Sequence, residues 1–392
     1  MFTTLARTLF VLGCIAGAIA GPSAKSQPSS AGAPIRFGQP AALDGPAAAL
    51  GTGMRDGIRA AFAQANREGG INGRPLELIS RDDGYDPDRS IAVTRRLLDD
   101  DKVFGIIGPV GTPTSAAILP IAAEQGAPFI GAFTGAEFLR ATGAGNVVNV
   151  RASYFQETEE IVERLTKDLA ITRIAIFYQD DAYGRAGREG VELALARRDL
   201  KIAGEGTYER NTVAIKMALI TIRRASPQAV IMIGAYKPCA EFIKLAHRLK
   251  FDAEFANVSF VGSDALAKEL GPDGAGVVVT QVVPFPSDTT IPLVAQYQSA
   301  LSALDPTLEP GFVSLEGYIA GRVTVLALRR VRGDLTRAAL LNEFSHAAVF
   351  DLDGMILRFN SGRNFGSDKV FVTVLDADGK FHPVTRLPRT GS

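Results

Sequence analysis

The sequence predicts an α/β protein with two lobes, each built on a parallel-type sheet flanked by helices. Short apolar runs alternate with amphipathic helical segments from Ile35 to Val150, which is typical of βαβ units. The same alternation starts again at Arg173 and continues to Val283. At 392 residues, the chain is also long for a single domain. Two such halves predict a cleft between them.

The first half contains five runs typical of buried strands, namely PIRFGQ, PLELISRDD, VFGIIG, APFIGAF and NVVNV. Asp86 followed by Pro87 predicts a helix N-cap and its first turn. Thr112 followed by Pro113 predicts a second N-cap, and Pro120 should kink that helix. The helix signals therefore fall between the predicted strands, as a parallel sheet requires.

The second half predicts five more strands, in RIAIFYQD, KIAGEGTYE, QAVIMIGA, VSFVGSD and GVVVTQVV. Segments such as GREGVELALARR and CAEFIKLAHRLK predict the helices between them. Three later segments are also helical in pattern: PLVAQYQSALSAL, SLEGYIAGRVTVLALRRVR and TRAALLNEFSHA. KVFVTVLDADGKFHPV predicts a hairpin that turns at Asp378-Gly379.

The N-terminus predicts export from the cytoplasm. An apolar run precedes Ala18 and Ala20 in Ala-x-Ala spacing, which predicts a signal peptide over residues 1–20. An alternative is that VLGC marks Cys14 for lipidation. Pro and Ser residues predict a disordered leader over 21–33. The later sequence has no apolar run of about 18 residues, so we expect no membrane span there.

Composition argues against several functions. Lys plus Arg and Asp plus Glu both number 42, and this balance does not favour nucleic-acid binding. The three histidines, His247, His346 and His382, stand outside any His-Glu-x-x-His pattern, and the chain has no Gly-x-Ser-x-Gly. DDGYDPD lacks the glycine and closing glutamate of an EF-hand. We therefore expect no catalytic residue, metal or cofactor, and a buried helical position for Cys239.

Two turns rich in glycine and threonine follow predicted strands and predict an anion site. In GPVGTPTS, the backbone at Val110 and Gly111 and the hydroxyl of Thr112 can donate to a carboxylate. In GAFTG, Phe133 and Thr134 supply a second set of donors. The alternative is that both threonines only cap helices.

Four stretches resemble the leucine/isoleucine/valine-binding protein family of periplasmic substrate-binding proteins. They are ANREGGINGRPLELISRDDGYDPDRSIAVTRRLL, GPVGTPTS, QDDAYGRAGREG and FVGSD, and NREGGINGRPLEL is the most specific part. The resemblance runs in order over nearly the whole mature chain. It implies a type I periplasmic binding protein, with two Rossmann-like lobes joined by a three-crossover hinge. The implied lobes are 34–152 plus 284–350, and 153–283 plus 351–392, so the late helices return to the first lobe.

The resemblance also assigns residues in the second lobe and the hinge. Tyr183 matches a family motif and is expected to cover the ligand. Tyr236 follows a strand-like run and either covers the ligand or packs at the rim. Tyr154 lies at the implied first crossover and either reaches the cleft or packs in the hinge. The sequence alone does not decide between these alternatives.

Two further positions concern ligand selectivity. Asp264 stands where the family's amino-acid binders carry an acidic residue for the ligand's α-ammonium, and its alternative role is a helix N-cap. Leu50 stands where leucine binders have an aromatic side chain, so selectivity among apolar side chains is open.

The resemblance implies a periplasmic, non-enzymatic, monomeric protein that captures a small amino acid, branched-chain or otherwise aliphatic. Its implied partner is the permease of an ABC transporter. The alternative is a sensing module of the same fold for a small carboxylate, aromatic acid or amide.

Overall fold

The computed structural model describes residues 32–141, 145–346 and 348–388. The predicted signal peptide, Cys14 and most of the predicted leader lie outside these residues. Two separate sheets organise the chain, and helices pack on each of them. This architecture confirms the predicted fold class.

The first sheet has five strands, all of them parallel, in the order β2-β1-β3-β4-β5. Its strands are β1 (Ile35–Ala41), β2 (Leu76–Asp82), β3 (Gly105–Ile107), β4 (Phe129–Ile130) and β5 (Val147–Val148). Each of the five runs predicted in this half therefore contains a strand.

Three helices connect these strands: α1 (Ala48–Arg67), α2 (Pro87–Asp99) and α3 (Thr112–Glu124). The Asp86 side chain caps α2 as predicted. In α3 the prediction was wrong by one residue, because Gly111 is the N-cap and Thr112 opens the helix. This shift frees the Thr112 hydroxyl from capping. Pro120 lies inside α3 without ending it.

The second sheet has seven strands in the order β14-β13-β10-β9-β8-β6-β7. Its strands are β6 (Ile174–Gln179), β7 (Glu205–Tyr208), β8 (Ala229–Ile233), β9 (Glu254–Asn257), β10 (Val278–Gln281), β13 (Phe371–Leu375) and β14 (Phe381–Val384). β13 and β14 form the predicted hairpin at one edge of the sheet. The β13–β14 and β10–β13 pairs are antiparallel, and the other strand pairs are parallel. Its helices are α4 (Tyr154–Leu169), α5 (Ala182–Ala196), α6 (Lys216–Arg224), α7 (Tyr236–Arg248) and α8 (Ser263–Leu270).

The strand predicted in VSFVGSD was wrong. β9 ends at Asn257, and Ser259–Val261 form a short 3-10 helix. Gly262 follows in the left-handed region and is the N-cap of α8. The segment therefore crosses the end of the sheet as a compact turn, which places Phe260 between the two sheets.

The late helices α9 (Pro292–Leu304) and α10 (Phe312–Arg330) pack on α1, and α11 (Arg337–Ser345) packs on α10. A small hairpin follows, formed by β11 (Val349–Asp351) and β12 (Ile356–Arg358). The lobe boundary predicted at residue 350 falls inside this hairpin, whose Phe350 ring packs on Phe344 of α11.

We call the first sheet with α1–α3 and α9–α11 the first lobe, and the second sheet with α4–α8 the second lobe. Three chain segments connect them, at 149–153, 282–291 and 359–370. Within the described ranges, every helix is too short or too polar to cross a membrane.

Candidate functional site

Loops at the carboxyl ends of strands from both sheets meet between the lobes. In the first lobe these loops follow β2, β3 and β4, and in the second lobe they follow β6, β8 and β9. The carboxyl edge of a parallel sheet is the usual ligand-binding edge of open α/β folds. The lobes touch here, since the side chain of Gln179 donates to the hydroxyl of Tyr85 at 3.2 Å.

The two predicted glycine and threonine turns lie side by side in the first lobe. Val110 pairs with Phe133 in a parallel bridge. The hydroxyl oxygens of Thr112 and Thr134 are 2.7 Å apart, and Thr134 also donates to the Tyr154 hydroxyl at 3.1 Å. All three side chains are buried. Burial also raises the pKa of Tyr154 to about 12, so its hydroxyl stays protonated and able to donate.

The loop after β2 brings Tyr85 to the same place, although sequence reasoning did not select it. Gly111 has φ +103°, and a Cβ there would lie 2.2 Å from Cε2 of Tyr85, so only glycine fits under this ring. Tyr85 itself has φ +55°, and its backbone N–H donates to the buried carboxylate of Asp83 at 2.9 Å. The carboxylates of DDGYDPD thus shape a loop that presents Tyr85. Its position just after a strand was the available signal.

Aromatic rings from both lobes fill the space beside the threonines. The Phe260 centroid lies 4.4 Å from that of Tyr183, 5.3 Å from Phe133 and 6.1 Å from Tyr85. The Tyr154 and Tyr183 centroids are 5.4 Å apart. Phe260 was also missed, because a strand was predicted in this segment, where the structure has a turn. Together, the rings form an apolar cluster next to a group of hydroxyls.

Leu50 and Tyr236 form a second contact between the lobes. Leu50 is fully buried in α1, and a Cβ on Gly262 would lie 2.5 Å from its Cδ2. The N–H of Ala49 donates to the Tyr236 hydroxyl at 3.5 Å. Both side chains therefore lie beside Gly262, which follows Phe260 in the turn after β9.

Asp264 has a partner other than the one predicted. Its Oδ2 accepts from the backbone N–H of Phe312 at 2.9 Å, where α10 of the first lobe begins. Asp264 also lines a wide pocket of about 1130 Å³ that includes Phe285 and Phe381. The predicted contact with a ligand ammonium stays a prediction. In α8 the N-cap is Gly262, so Asp264 is not the cap of its own helix.

A buried ion cluster lies beneath the rings. Arg151 has no exposed surface, and its guanidinium lies 2.8 Å from Glu157 and 3.3 Å from Glu316. It also donates to the Ser259 hydroxyl. The guanidinium carbon is 5.4 Å from the ring centroid of Phe133, within reach of a cation–π interaction. The sequence signals that could have found it were a lone arginine in NVRASY and a lone acid in SLEGY.

The described residues offer no metal site, since no three His, Cys, Asp or Glu side chains cluster there. Cys239 is a free, buried thiol in α7, and burial raises its pKa well above its ordinary value. A thiol in that state is a poor nucleophile.

Two α/β lobes that meet over a buried polar and aromatic cleft define the class of two-lobed binding folds. The chain belongs to the periplasmic binding protein family, whose sequence pattern, described as "Periplasmic binding protein", matches residues 34–380. This family consists of extracytoplasmic solute-binding proteins and not of enzymes.

Relatives support the predicted resemblance. The chain is 24% identical over 337 residues to Leu/Ile/Val-binding protein homolog 7 of Brucella abortus (strain 2308), a match that covers 81% of this chain and 82% of the relative. A solved structure of a possible leucine/isoleucine/valine-binding protein from Rhodopirellula baltica SH 1 is 38% identical, with a TM-score of 0.86 over 92% of this chain and 98% of that one. A substrate-binding periplasmic protein from Ralstonia solanacearum is 26% identical, with a TM-score of 0.84 over 89% of this chain and 100% of that one. The resemblance to the leucine/isoleucine/valine-binding family is thereby confirmed.

Proposed function

We propose that this protein captures a small aliphatic amino acid between its lobes and delivers it to the permease of an ABC transporter. The observation that carries the proposal is the buried pair of hydroxyls on Thr112 and Thr134, enclosed by rings from both lobes. The names of the relatives agree with this ligand class.

The hydroxyl pair suits a carboxylate. Thr112 opens α3, where backbone N–H groups and the helix dipole favour negative charge. The nearest buried cation, Arg151, already binds two carboxylates and has no positive charge to spare. A single carboxylate is therefore held by neutral donors, which bind an anion without adding a buried cation.

The ring cluster suits an apolar side chain. Phe133, Tyr183 and Phe260 supply ring faces, and Leu50 and Tyr236 extend the apolar wall. Because a methylene contributes only about 1–3 kcal/mol of discrimination, this wall separates apolar from polar ligands better than it separates valine from leucine.

One observation favours a second candidate, a sensing module that binds an aromatic or other small carboxylic acid. Asp264 is engaged by the Phe312 amide, and the rings present faces on which a flat ligand could stack. An acid without an ammonium group needs no carboxylate partner. Neighbouring genes for a permease and ATPase would favour transport, and a neighbouring histidine kinase gene would favour sensing.

A thermal-shift screen tests the proposal. The panel holds aliphatic amino acids, their 2-keto analogues, aromatic acids, amides and dicarboxylates. A ligand at 100 times its Kd stabilises the folded protein by about 2.7 kcal/mol, which such a screen detects. Calorimetry then gives Kd, and light scattering tests the expected monomer. Stabilisation by 2-keto or aromatic acids but by no amino acid would overturn the amino-acid proposal.

Closure is tested separately by small-angle scattering. Three connecting segments permit a hinge motion, and only the closed form brings Phe260 onto Phe133. A saturating ligand is expected to reduce the radius of gyration. Binding without compaction would contradict capture between the lobes.

A further inference from the structure

We propose that Arg151 is a positioning residue of the ligand site, which binds partners from both lobes and thereby fixes Phe260 against Phe133 when the lobes close. The inference rests on the proposed closure, and it concerns a residue that is not expected to touch the ligand. In this role, the Arg151 guanidinium holds the ring surfaces of the two lobes in their relative position.

The place of Arg151 in the chain supports this role. It lies in the first connecting segment, directly between β5 of the first lobe and α4 of the second. Its Nη1 contacts Glu316, which stands on α10 of the first lobe. Its Nη2 contacts Glu157 on α4 and Ser259 in the turn after β9, both in the second lobe. One guanidinium therefore joins both lobes at the hinge.

The contact with Ser259 links this hinge to the ring cluster. The Ser259 N–H donates to Glu157 at 2.7 Å, and the Ser259 hydroxyl accepts from Arg151. Thr280 of β10 also donates to Glu157 at 2.7 Å. Phe260 is the next residue after Ser259. The two buried, charge-assisted hydrogen bonds of Ser259, to Glu157 and from Arg151, therefore hold the turn that carries the Phe260 ring. The guanidinium also lies under the Phe133 ring.

The charge balance of the cluster makes the role measurable. One guanidinium faces two carboxylates, so the cluster carries one excess negative charge when both acids are ionised. The charged groups that act on Glu316 are Arg151 in the connecting segment, Glu157 on α4 and, through space, Arg140 in the 3-10 helix after β4. Burial raises the pKa of Glu316 to about 7.

Opening the hinge exposes Glu316 to water and returns its pKa toward the ordinary 4.5. The closed form, with the higher pKa, binds the proton more tightly. Closure therefore takes up a proton between about pH 4.5 and 7, and the closed form is lost as pH rises through 7. The ratio of closed to open molecules changes by at most about tenfold per pH unit for one proton.

The test uses ligand-free full-length protein and electron-spin distance measurements between the lobes. Labels at exposed Asp88→Cys and Arg185→Cys report the distance between α2 and α5, with Cys14→Ser included and Cys239 left buried. We expect the short-distance population to grow as pH falls from 8 to 5. Glu316→Gln should strongly reduce that pH dependence, leaving only the share of Asp264, which contacts the other lobe and whose pKa burial raises to about 6. Glu124→Gln, an exposed control on α3, should retain the full dependence. Asp264 is kept in every variant.

Arg151→Lys keeps the charge but loses the planar fork, so the short-distance population should broaden and shrink at every pH. If this variant fails to fold, the comparison of Glu316→Gln with the wild type still tests the proposal. The proposal is overturned if the wild-type distance does not change with pH, or if Glu316→Gln responds to pH as the wild type does. Because no ligand is added, these outcomes are independent of which solute the protein binds.

Discussion

The Phe260 ring of the second lobe stacks on the Phe133 ring of the first, with centroids 5.3 Å apart and an interplanar angle of 29°. Each ring therefore stacks on a residue of the other lobe. Their stacking is a contact between the two lobes. It connects the two predicted threonine turns to a part of the second lobe that no prediction selected.

Phe260→Ala should weaken ligand binding more than it weakens either lobe. The ring contacts Tyr85 and Phe133 across the cleft, so its loss removes contacts that form on closure. We expect Kd to rise at least tenfold, or about 1.4 kcal/mol, by calorimetry. Phe371→Ala removes a half-exposed ring from β13 and serves as the control, with Kd unchanged. Equal Kd values for the two variants would remove Phe260 from the site.

Thr112→Val tests the hydroxyl pair. The change keeps the shape of the side chain but removes a donor to a charged group, so binding should weaken by about 1.5–3 kcal/mol. Fold stability should change little, because Thr134 keeps its hydrogen bond to Tyr154. Exposed Thr221→Val on α6 is the control for the loss of a hydroxyl. A Kd equal to that of the wild type would show that Thr112 does not bind the ligand.

Gly111→Ala tests the close approach of Tyr85 to the backbone. Gly69 provides a matched control, since its φ is +97° against +103° for Gly111, but a Cβ there meets nothing within 4 Å. Both changes should cost about 1–3 kcal/mol because each glycine has a positive φ that side-chain-bearing residues rarely adopt. Gly111→Ala should cost about 1–3 kcal/mol more by urea unfolding, and should also weaken binding. Identical losses would show that the Tyr85 ring can move away freely.

Asp264→Asn distinguishes the two roles of this residue. The amide oxygen of Asn can still accept from the Phe312 N–H, so in the observed arrangement we expect a loss of about 1 kcal/mol or less. That loss should be similar for an amino acid and for its 2-keto analogue. Calorimetry with both ligands measures it. A loss of about 2–5 kcal/mol confined to the amino acid would instead place the carboxylate on the ligand ammonium.

The sequence predicted the architecture well because strand and helix periodicities are local properties. It also predicted that two turns lie close together, because parallel strands end at one edge of a sheet. The residues of these turns are Val110, Gly111, Thr112, Phe133 and Thr134. These residues follow neighbouring strands, β3 and β4, so their proximity is a consequence of strand order.

The remaining parts of the site depend on contacts between lobes, which no local pattern contains. Glu316 is separated from Arg151 by 165 residues, and Tyr85 from Gln179 by 94. The partner of Asp264 likewise depends on where α10 begins relative to α8. In each case, the hinge geometry decides which side chains meet.

The path of the chain through the second sheet has a consequence for biosynthesis. β10 pairs on one side with β9, but its other neighbour, β13, begins 90 residues later, after the whole return through the first lobe. Until the last strands emerge, β10 presents unpaired backbone groups and the apolar side chains of Val278 and Val279. A chain that ends before residue 371 would keep β10 as an unpaired edge strand. We therefore expect truncated forms to aggregate instead of forming a smaller soluble protein.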